Sequence, residues 1–299
     1  MEAFRALLSD YTFQTVALGS LLMGILSGVL GSFAVLRRQS LLGDGISHAA
    51  LPGVVVAFLL TGSKNTQVLL AGALATGLLA TFLILNITRH SRVKFDAALA
   101  VVMSVFFGMG LVLFTYAQKY PDANQAGLKR FIYGQAASIL ARDVHFMQLC
   151  AVVLLVIVLL FFKEFQLFTF DRDFAASAGM PTGLIGALLS LLIVLAIVIG
   201  LQTVGAILMS AMLIAPAVAA RQWSRRLWQM ILLAALFGGV SGVAGTWISS
   251  AVPQMPTGPA IVVCVSTVTL FSVLLAPKRG LVSRMRRSRL QTAAQERGR

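Results

Sequence analysis

Residues 183–201 read GLIGALLSLLIVLAIVIGL, a stretch that contains no charged side chain. A helix needs about 20 predominantly apolar residues to cross the hydrocarbon core of a bilayer, so this stretch is long enough to span it. The whole chain has the same character: 58% of its 299 residues are hydrophobic, 11% are charged, and the mean hydropathy is +0.90. This composition excludes an ordinary soluble protein and predicts an all-α polytopic membrane protein.

Apolar runs separated by short polar segments predict about nine transmembrane helices, with eight as the alternative count. The predicted spans are residues 11–36, 41–61, 68–87, 97–117, 144–162, 183–201, 204–220, 227–249 and 260–276. The first run is expected to be a permanent span and not a signal peptide, because residues 1–10 lack a basic leader. The spans define a transmembrane domain at residues 1–277, followed by a basic tail at residues 278–299.

The positions of the positive charges predict the orientation. With nine spans, most Lys and Arg residues fall on one side, including Arg37 and Arg38, Arg225 and Arg226, and the tail. Cytoplasmic loops of membrane proteins carry this excess, so the N-terminus is expected outside and the C-terminus inside a bacterial inner membrane. The same placement explains the net charge of +14 without a nucleic-acid partner. The tail is interpreted as an orientation signal, with binding to membrane lipid or a protein as the alternative.

One carboxylate, that of Asp44, falls inside a predicted span, whereas the others lie in loops, tails or span ends. An ionisable side chain in the membrane is costly and therefore indicates a functional site. His48 follows four residues later and shares the same helical face. Carboxylate and imidazole suit divalent Mn, Fe or Zn, so the pair predicts half of a metal site. A second copy of the chain across a two-fold axis would complete it.

Small residues around the pair favour close helix packing. They are Gly43, Gly45, Ser47, Ala49, Ala50 and Gly53. Pro52 and Pro216 lack an N–H and are expected to kink two pore-lining helices, with Pro52 freeing the carbonyl of His48. Two other interpretations of Asp44 and His48 stay open: a structural pair that satisfies itself, and a proton relay, although no second buried acid would continue it.

The chain contains no P-loop signature and no arrangement of nucleophile and base, so it is not expected to be an enzyme or to bind ATP in that way. The segment 170–181 reads FDRDFAASAGMP. Asp171 or Asp173 can cap a short helix there, and Gly179 with Pro181 would end it. An exposed Phe174 on such a helix suits a groove on a soluble partner. An interfacial loop is the alternative.

Taken together, three motifs resemble the permease subunits of the manganese/zinc/iron family of ABC importers. They are LGDGISHAALPG at 42–53, FDRDFA at 170–175 continuing to Gly179, and VGAIL at 204–208 continuing to APA at 215–217. Segments 125–128 and 133–136 look like the manganese-type branch. The resemblance implies a type II-like ABC importer permease that forms a homodimer or pseudo-dimer. It also implies two partners, a cytoplasmic ABC ATPase and an external metal-binding protein.

The resemblance assigns roles to residues as well. It implies metal ligands at Asp44 and His48. It implies a coupling helix that sits on the ATPase and contains Asp171, Asp173, Phe174, Ala175 and Gly179. No cofactor is expected to be bound permanently; the cargo is a divalent metal, with manganese expected and zinc or iron as alternatives. A secondary metal transporter or channel without an ATPase is the alternative function.

Overall fold

The computed structural model describes residues 11–62, 65–119, 141–201, 205–252, 255–276 and 280. Within these residues every regular element is a helix, which confirms the all-α prediction. The helices are α1 (Tyr11–Leu36), α2 (Leu42–Thr61), α3 (Thr66–His90), α4 (Phe95–Ala117), α5 (Ala141–Leu160), α6 (Phe162–Phe170), α7 (Arg172–Ser177), α8 (Thr182–Gly200), α9 (Ala206–Trp223), α10 (Leu227–Ala251) and α11 (Thr257–Leu275). The segments 125–128 and 133–136 lie outside the described residues, as does nearly all of the tail.

Eight of the described helices are long and apolar enough to cross a membrane: α1 to α5, α8, α10 and α11. The remaining predicted span, 204–220, coincides with α9, which has 18 residues and carries Arg221 in its last turn. A helix of that length is about 27 Å long, slightly shorter than the hydrocarbon core of about 30 Å. The predicted count of about nine, with eight as the alternative, therefore corresponds to eight long spans and the shorter α9.

Helix α6 was not predicted, because residues 163–169 lie between the predicted span 144–162 and the predicted short helix in segment 170–181. The structure shows a helix whose Phe165 and Phe168 are buried. The Phe165 ring meets that of Phe33 in α1 edge to face, with centroids 5.9 Å apart. The spacing of three residues gives this short helix one apolar face, which anchors it against the end of α1.

Helix α1 lies at the centre of the bundle, where it packs against α5, α8, α9 and α10. Its contact with α10 depends on glycine. A Cβ atom added to Gly24 would collide with the backbone carbonyl of Gly238, and one added to Gly28 would collide with that of Ala234. The hydroxyl of Thr246 donates to that of Ser20 across the same interface at 3.2 Å. Small residues that let two backbones approach closely are the usual basis of helix association in membranes.

Replacing Gly24 by alanine is expected to destabilise the protein, because the added methyl must force apart two backbones, at a cost of about 1–3 kcal/mol. Gly108→Ala in α4 is the matched control, since a Cβ there meets no atom within 4 Å. This control should be neutral or slightly stabilising, because alanine favours a helix by about 1 kcal/mol over glycine. The midpoint of thermal unfolding of both variants in one detergent measures the difference, and equal midpoints would contradict the packing argument.

Candidate metal-binding site

Asp44 lies in the first turn of α2. The residue before the helix, Leu41, provides no side-chain cap, so the first N–H groups of α2 are not satisfied in that way. A carboxylate in the first turn is favoured by the partial positive charge at a helix N-terminus. Its side chain is 38% exposed. Asp44 is therefore accommodated at the edge of its span, where a charge costs less than at the bilayer centre.

His48 stands one turn further along the same face. Its Nε2 atom lies 3.4 Å from Oδ1 of Asp44. The imidazole packs edge to face against Phe107 of α4, with ring centroids 4.7 Å apart. The aromatic contact fixes the orientation of the imidazole, and the carboxylate lies beside it. Among the residues that the structure describes, no third His, Cys, Asp or Glu joins them to form a group that could hold a metal ion.

The pair lies on a row of α2, called the open row below, whose side chains are partly exposed among the described residues, apart from the buried Pro52. Helix α2 packs against α3, α4, α8 and α9. The row consists of residues one or two helical turns apart, namely 44, 48, 56 and 60. Leu60 is 81% exposed. Between them, Pro52 is buried, and a Cβ on Gly110 of α4 would touch it. A carboxylate and an imidazole on an open, otherwise apolar row need a polar partner if the row faces other molecules in the membrane.

Glycines position α2 among its neighbours. A Cβ on Gly53 would collide with the backbone of Gly72 in α3, and one on Gly45 would meet Leu99 of α4. The hydroxyl of Ser47 donates to the carbonyl of Gly43 within the helix. The expected small-residue packing around the pair is therefore present on the faces of α2 that do not carry Asp44 and His48.

Both prolines lie inside continuous helices, Pro52 in α2 and Pro216 in α9. Because proline has no N–H, the carbonyl of His48 lacks its usual helical partner. That carbonyl belongs to one of the two proposed ligands and remains a candidate oxygen ligand. The role of the two prolines as pore kinks stays a prediction.

The predicted short helix is present as α7, and Asp171 is its cap. The N–H of Phe174 donates to Oδ1 of Asp171 at 2.9 Å. Gly179 has a φ of +79°, a conformation that favours glycine and turns the chain towards α8. Ala175 is buried, whereas Asp173 and Phe174 are exposed, and Phe174 is 58% accessible. The structure thus brings the five expected coupling residues together on one short, exposed segment, separate from the Asp44 and His48 pair.

Phe107, which contacts the imidazole of His48, was not among the predicted site residues. Its position in α4 gives no local signal, because it is one of many aromatic and aliphatic residues in an apolar helix. Only the packing of α2 against α4 shows which of them meets the imidazole. Contacts between helices distant in sequence are not encoded in helical periodicity.

The sequence model of the ABC 3 transport family matches residues 9–276. The chain belongs to the ABC 3 transport family. Together with the eight apolar helices, this membership makes it a multi-pass protein of the bacterial inner membrane. The resemblance inferred from the three motifs is confirmed, and the matched region includes all of the described helices.

Relatives of this ABC 3 protein have names that specify different metals. It is 52% identical over 298 residues to the zinc transport system membrane protein TroC of Treponema pallidum, and the match covers 100% of both chains. It is 50% identical over 286 residues to the manganese transport system membrane protein MntC of Bacillus subtilis, covering 95% of this chain and 66% of that protein. In three dimensions it is similar to a chain of PsaBC from Streptococcus pneumoniae in complex with Fab. That match has a TM-score of 0.82 and 32% identity, and covers 93% and 96% of the two chains.

Proposed function

We propose that this ABC 3 protein is the permease subunit of an ATP-driven importer of divalent metal ions and that manganese is its cargo. The observation that carries the proposal is the Asp44 and His48 pair on the open row of α2. Both side chains are ligands of the borderline and hard divalent ions. The names of the relatives, which specify manganese or zinc transport systems, support the same class of cargo.

The metal passes between two copies of the chain in this proposal. Among the described residues, one copy supplies two side-chain ligands at this position, which is too few for specific capture of a divalent ion. If α2 packs near a two-fold axis, two Asp44 and two His48 side chains provide four ligands around one ion. The same association covers the open row, and a divalent cation bound between the two copies offsets the repulsion between their carboxylates.

Energy comes from a separate ATPase, which binds at α7. The exposed Phe174 serves as an aromatic anchor, and the cap at Asp171 keeps the helix formed before docking. Movement of α7 can reach α2 through direct contacts, because α7 packs on α8 and α8 packs on α2. ATP binding and hydrolysis by the partner then alternate the access of the metal pair between the two sides.

The proposed orientation places these two parts on the same side of the membrane. With the N-terminus outside, α1 runs inward and α2 begins at the cytoplasmic side. Asp44, in the first turn of α2, then lies towards the cytoplasm, as does α7. An external metal-binding protein delivers the ion from the opposite side, and the metal pair is the last set of ligands before release.

Uptake is expected to require the ATPase. In cells that express this chain with its partner subunits, removing the ATPase should lower manganese uptake to the background of cells without the transporter. Vanadate, or a change of the P-loop lysine in the ATPase, should do the same. A secondary transporter would instead keep its uptake without the ATPase and lose it when the ion gradient is dissipated.

The choice of manganese is tested in the same cells by measuring manganese and zinc uptake at equal low concentrations. Zinc binds Asp and His ligands more tightly than manganese in the absence of other constraints. Faster uptake of manganese than of zinc would therefore show selectivity that the ligand types alone do not supply. Faster uptake of zinc would replace manganese by zinc as the cargo and leave the rest of the proposal unchanged.

A further inference from the structure

A second polar site lies at the ends of α1, α3 and α8, where the structure contains a cavity of about 400 Å³. Three arginines line it. Arg37 directly follows α1, Arg89 is in the last turn of α3, and Arg172 is the first residue of α7. Within the described part of the chain, no carboxylate lies within 4.0 Å of any of the three. The cavity shares no lining residue with the Asp44 and His48 pair.

The guanidinium of Arg37 lies 4.7 Å from the centre of the Phe168 ring, and that of Arg172 lies 5.9 Å from the same ring. Nη1 of Arg37 is buried and has no hydrogen-bond partner among the described residues. Burial, together with the neighbouring Arg172, lowers the pKa of Arg37 to about 10, so it remains charged at neutral pH. Two positively charged guanidinium groups thus lie near the same ring, and one of them has a buried N–H group without a hydrogen-bond partner. This arrangement is energetically costly unless an anion lies between the two groups.

The N-terminus of α8 adds a third source of positive potential. Thr182 and Gly183, its first two residues, line the same cavity, and the preceding Pro181 offers no side-chain cap. The N–H of Thr182 donates to the carbonyl of Met180 at 2.8 Å, and the N–H groups that follow it in the first turn of a helix lack partners within the helix and favour anions. A Cβ on Gly183 would meet no atom within 4 Å, so the backbone is open to a ligand there. The three arginines and the N-terminus of α8 therefore line the same cavity.

We propose that this cavity binds the phosphate of an anionic phospholipid headgroup. It lies at the ends of three membrane-spanning helices, on the side that the distribution of charge assigns to the cytoplasm. Exposed apolar residues adjoin it, with Phe82 one turn before the lining residue Leu85 on α3 and Leu184 next to Gly183 on α8. Basic pockets between helices at the cytoplasmic side are known to hold lipid headgroups, with acyl chains along the apolar surface.

An occupied cavity would also have a mechanical consequence, which rests on the proposed function of α7. Because Arg172 begins α7, a phosphate held by Arg37 and Arg172 fixes the start of the coupling segment against the ends of α1 and α8. The lipid would then stabilise the position from which the ATPase is engaged. The binding itself does not depend on the metal pair, so a test of lipid binding can fail while the proposed transport function stands.

The test uses the purified full chain in neutral detergent and measures bound lipid by native mass spectrometry during titration with dioleoyl phosphatidylglycerol or dioleoyl phosphatidylcholine. The wild type is expected to prefer phosphatidylglycerol. Arg37→Gln should bind it about tenfold more weakly, the loss of one charge-assisted contact. Arg92→Gln is the matched control, because Arg92 is an exposed arginine after α3 that does not line the cavity. The Arg92→Gln variant keeps any nonspecific attraction between the basic tail and anionic lipid, so it should bind phosphatidylglycerol like the wild type.

Equal affinity of Arg37→Gln and Arg92→Gln for phosphatidylglycerol would overturn the proposal. If Arg37→Gln does not fold, Arg89→Gln gives the same comparison at an exposed position, with several-fold weaker binding expected and unchanged binding contradicting the site. Inorganic phosphate at millimolar concentration is expected not to displace the lipid; displacement would mean that the cavity recognises free phosphate. Arg37→Gln could also bind lipid normally but no longer associate with the ATPase. That result would mean that a carboxylate of the ATPase occupies the cavity, and it would contradict lipid binding there.

Discussion

Replacing Asp44 by asparagine is expected to reduce metal uptake by about 100-fold or more, while the protein still reaches the membrane. Asparagine has nearly the same shape as aspartate but lacks the negative charge, so the variant replaces an anionic ligand by a weaker neutral amide oxygen without creating a cavity. Changes even to the outer partners of metal ligands typically cost about 10- to 100-fold in metal affinity or activity. The loss of a direct ligand from each of two copies should therefore exceed that range. Uptake of radioactive manganese by cells with the complete transporter measures it.

His48→Ala should have an effect of similar size, and the double variant should be hardly worse than either single variant. Two ligands of one ion act as a unit, so their effects are far from additive. Asp96→Asn is the matched control. Asp96 is also a carboxylate in the first turn of a membrane-spanning helix, α4, but it is exposed and no other expected ligand follows it one turn later. Normal uptake in Asp44→Asn with normal membrane levels would show that the pair is structural and that the metal follows another path.

Phe174→Asp in α7 is expected to separate the permease from its ATPase. An aromatic anchor at the centre of an interface commonly contributes 2 kcal/mol or more, so association should weaken by about 30-fold or more, and metal uptake should fall with it. The amount of ATPase that copurifies with the tagged permease measures the association directly. Thermal unfolding of the permease alone should be unchanged, because Phe174 is exposed in the isolated chain.

Two variants of the same segment make this test specific. Ser177→Ala is the control, since the hydroxyl of Ser177 is exposed and donates only within α7, to the carbonyl of Asp173. It should retain the ATPase. Asp171→Ala removes the cap from the N–H of Phe174 and should have an intermediate effect, because a lost N-cap costs about 1 kcal/mol of helix stability. Full ATPase association of Phe174→Asp would rule out α7 as the docking element.

Local sequence patterns were sufficient to predict much of the structure of this protein. Hydropathy located the long spans, because the bilayer requires each to be apolar over its whole length. The spacing of four residues between Asp44 and His48 placed them on one face. A cap at Asp171 or Asp173, with Gly179 and Pro181 as the end, predicted a short helix. Each of these features depends only on residues within one continuous segment of the chain, so the sequence contains all the information that they need.

The features that were missed depend on contacts between distant segments. Phe107 meets His48 only because α2 packs on α4, and the position of a contact between two apolar helices leaves no periodic signal. Arg37 was interpreted only as one of the positive charges that set the orientation, although the fold brings it together with Arg89 and Arg172 around one cavity. Helix α6 was missed because its buried face consists of only two aromatic residues. Tertiary packing, and not local propensity, determines all three.

The most direct test of the central claim is to locate manganese by anomalous X-ray scattering in crystals of the assembled transporter. We expect one strong manganese peak between two copies of the chain, with Asp44 and His48 from each copy as its ligands. A manganese peak elsewhere in the membrane region, with Asp44 and His48 bound only to each other, would contradict it.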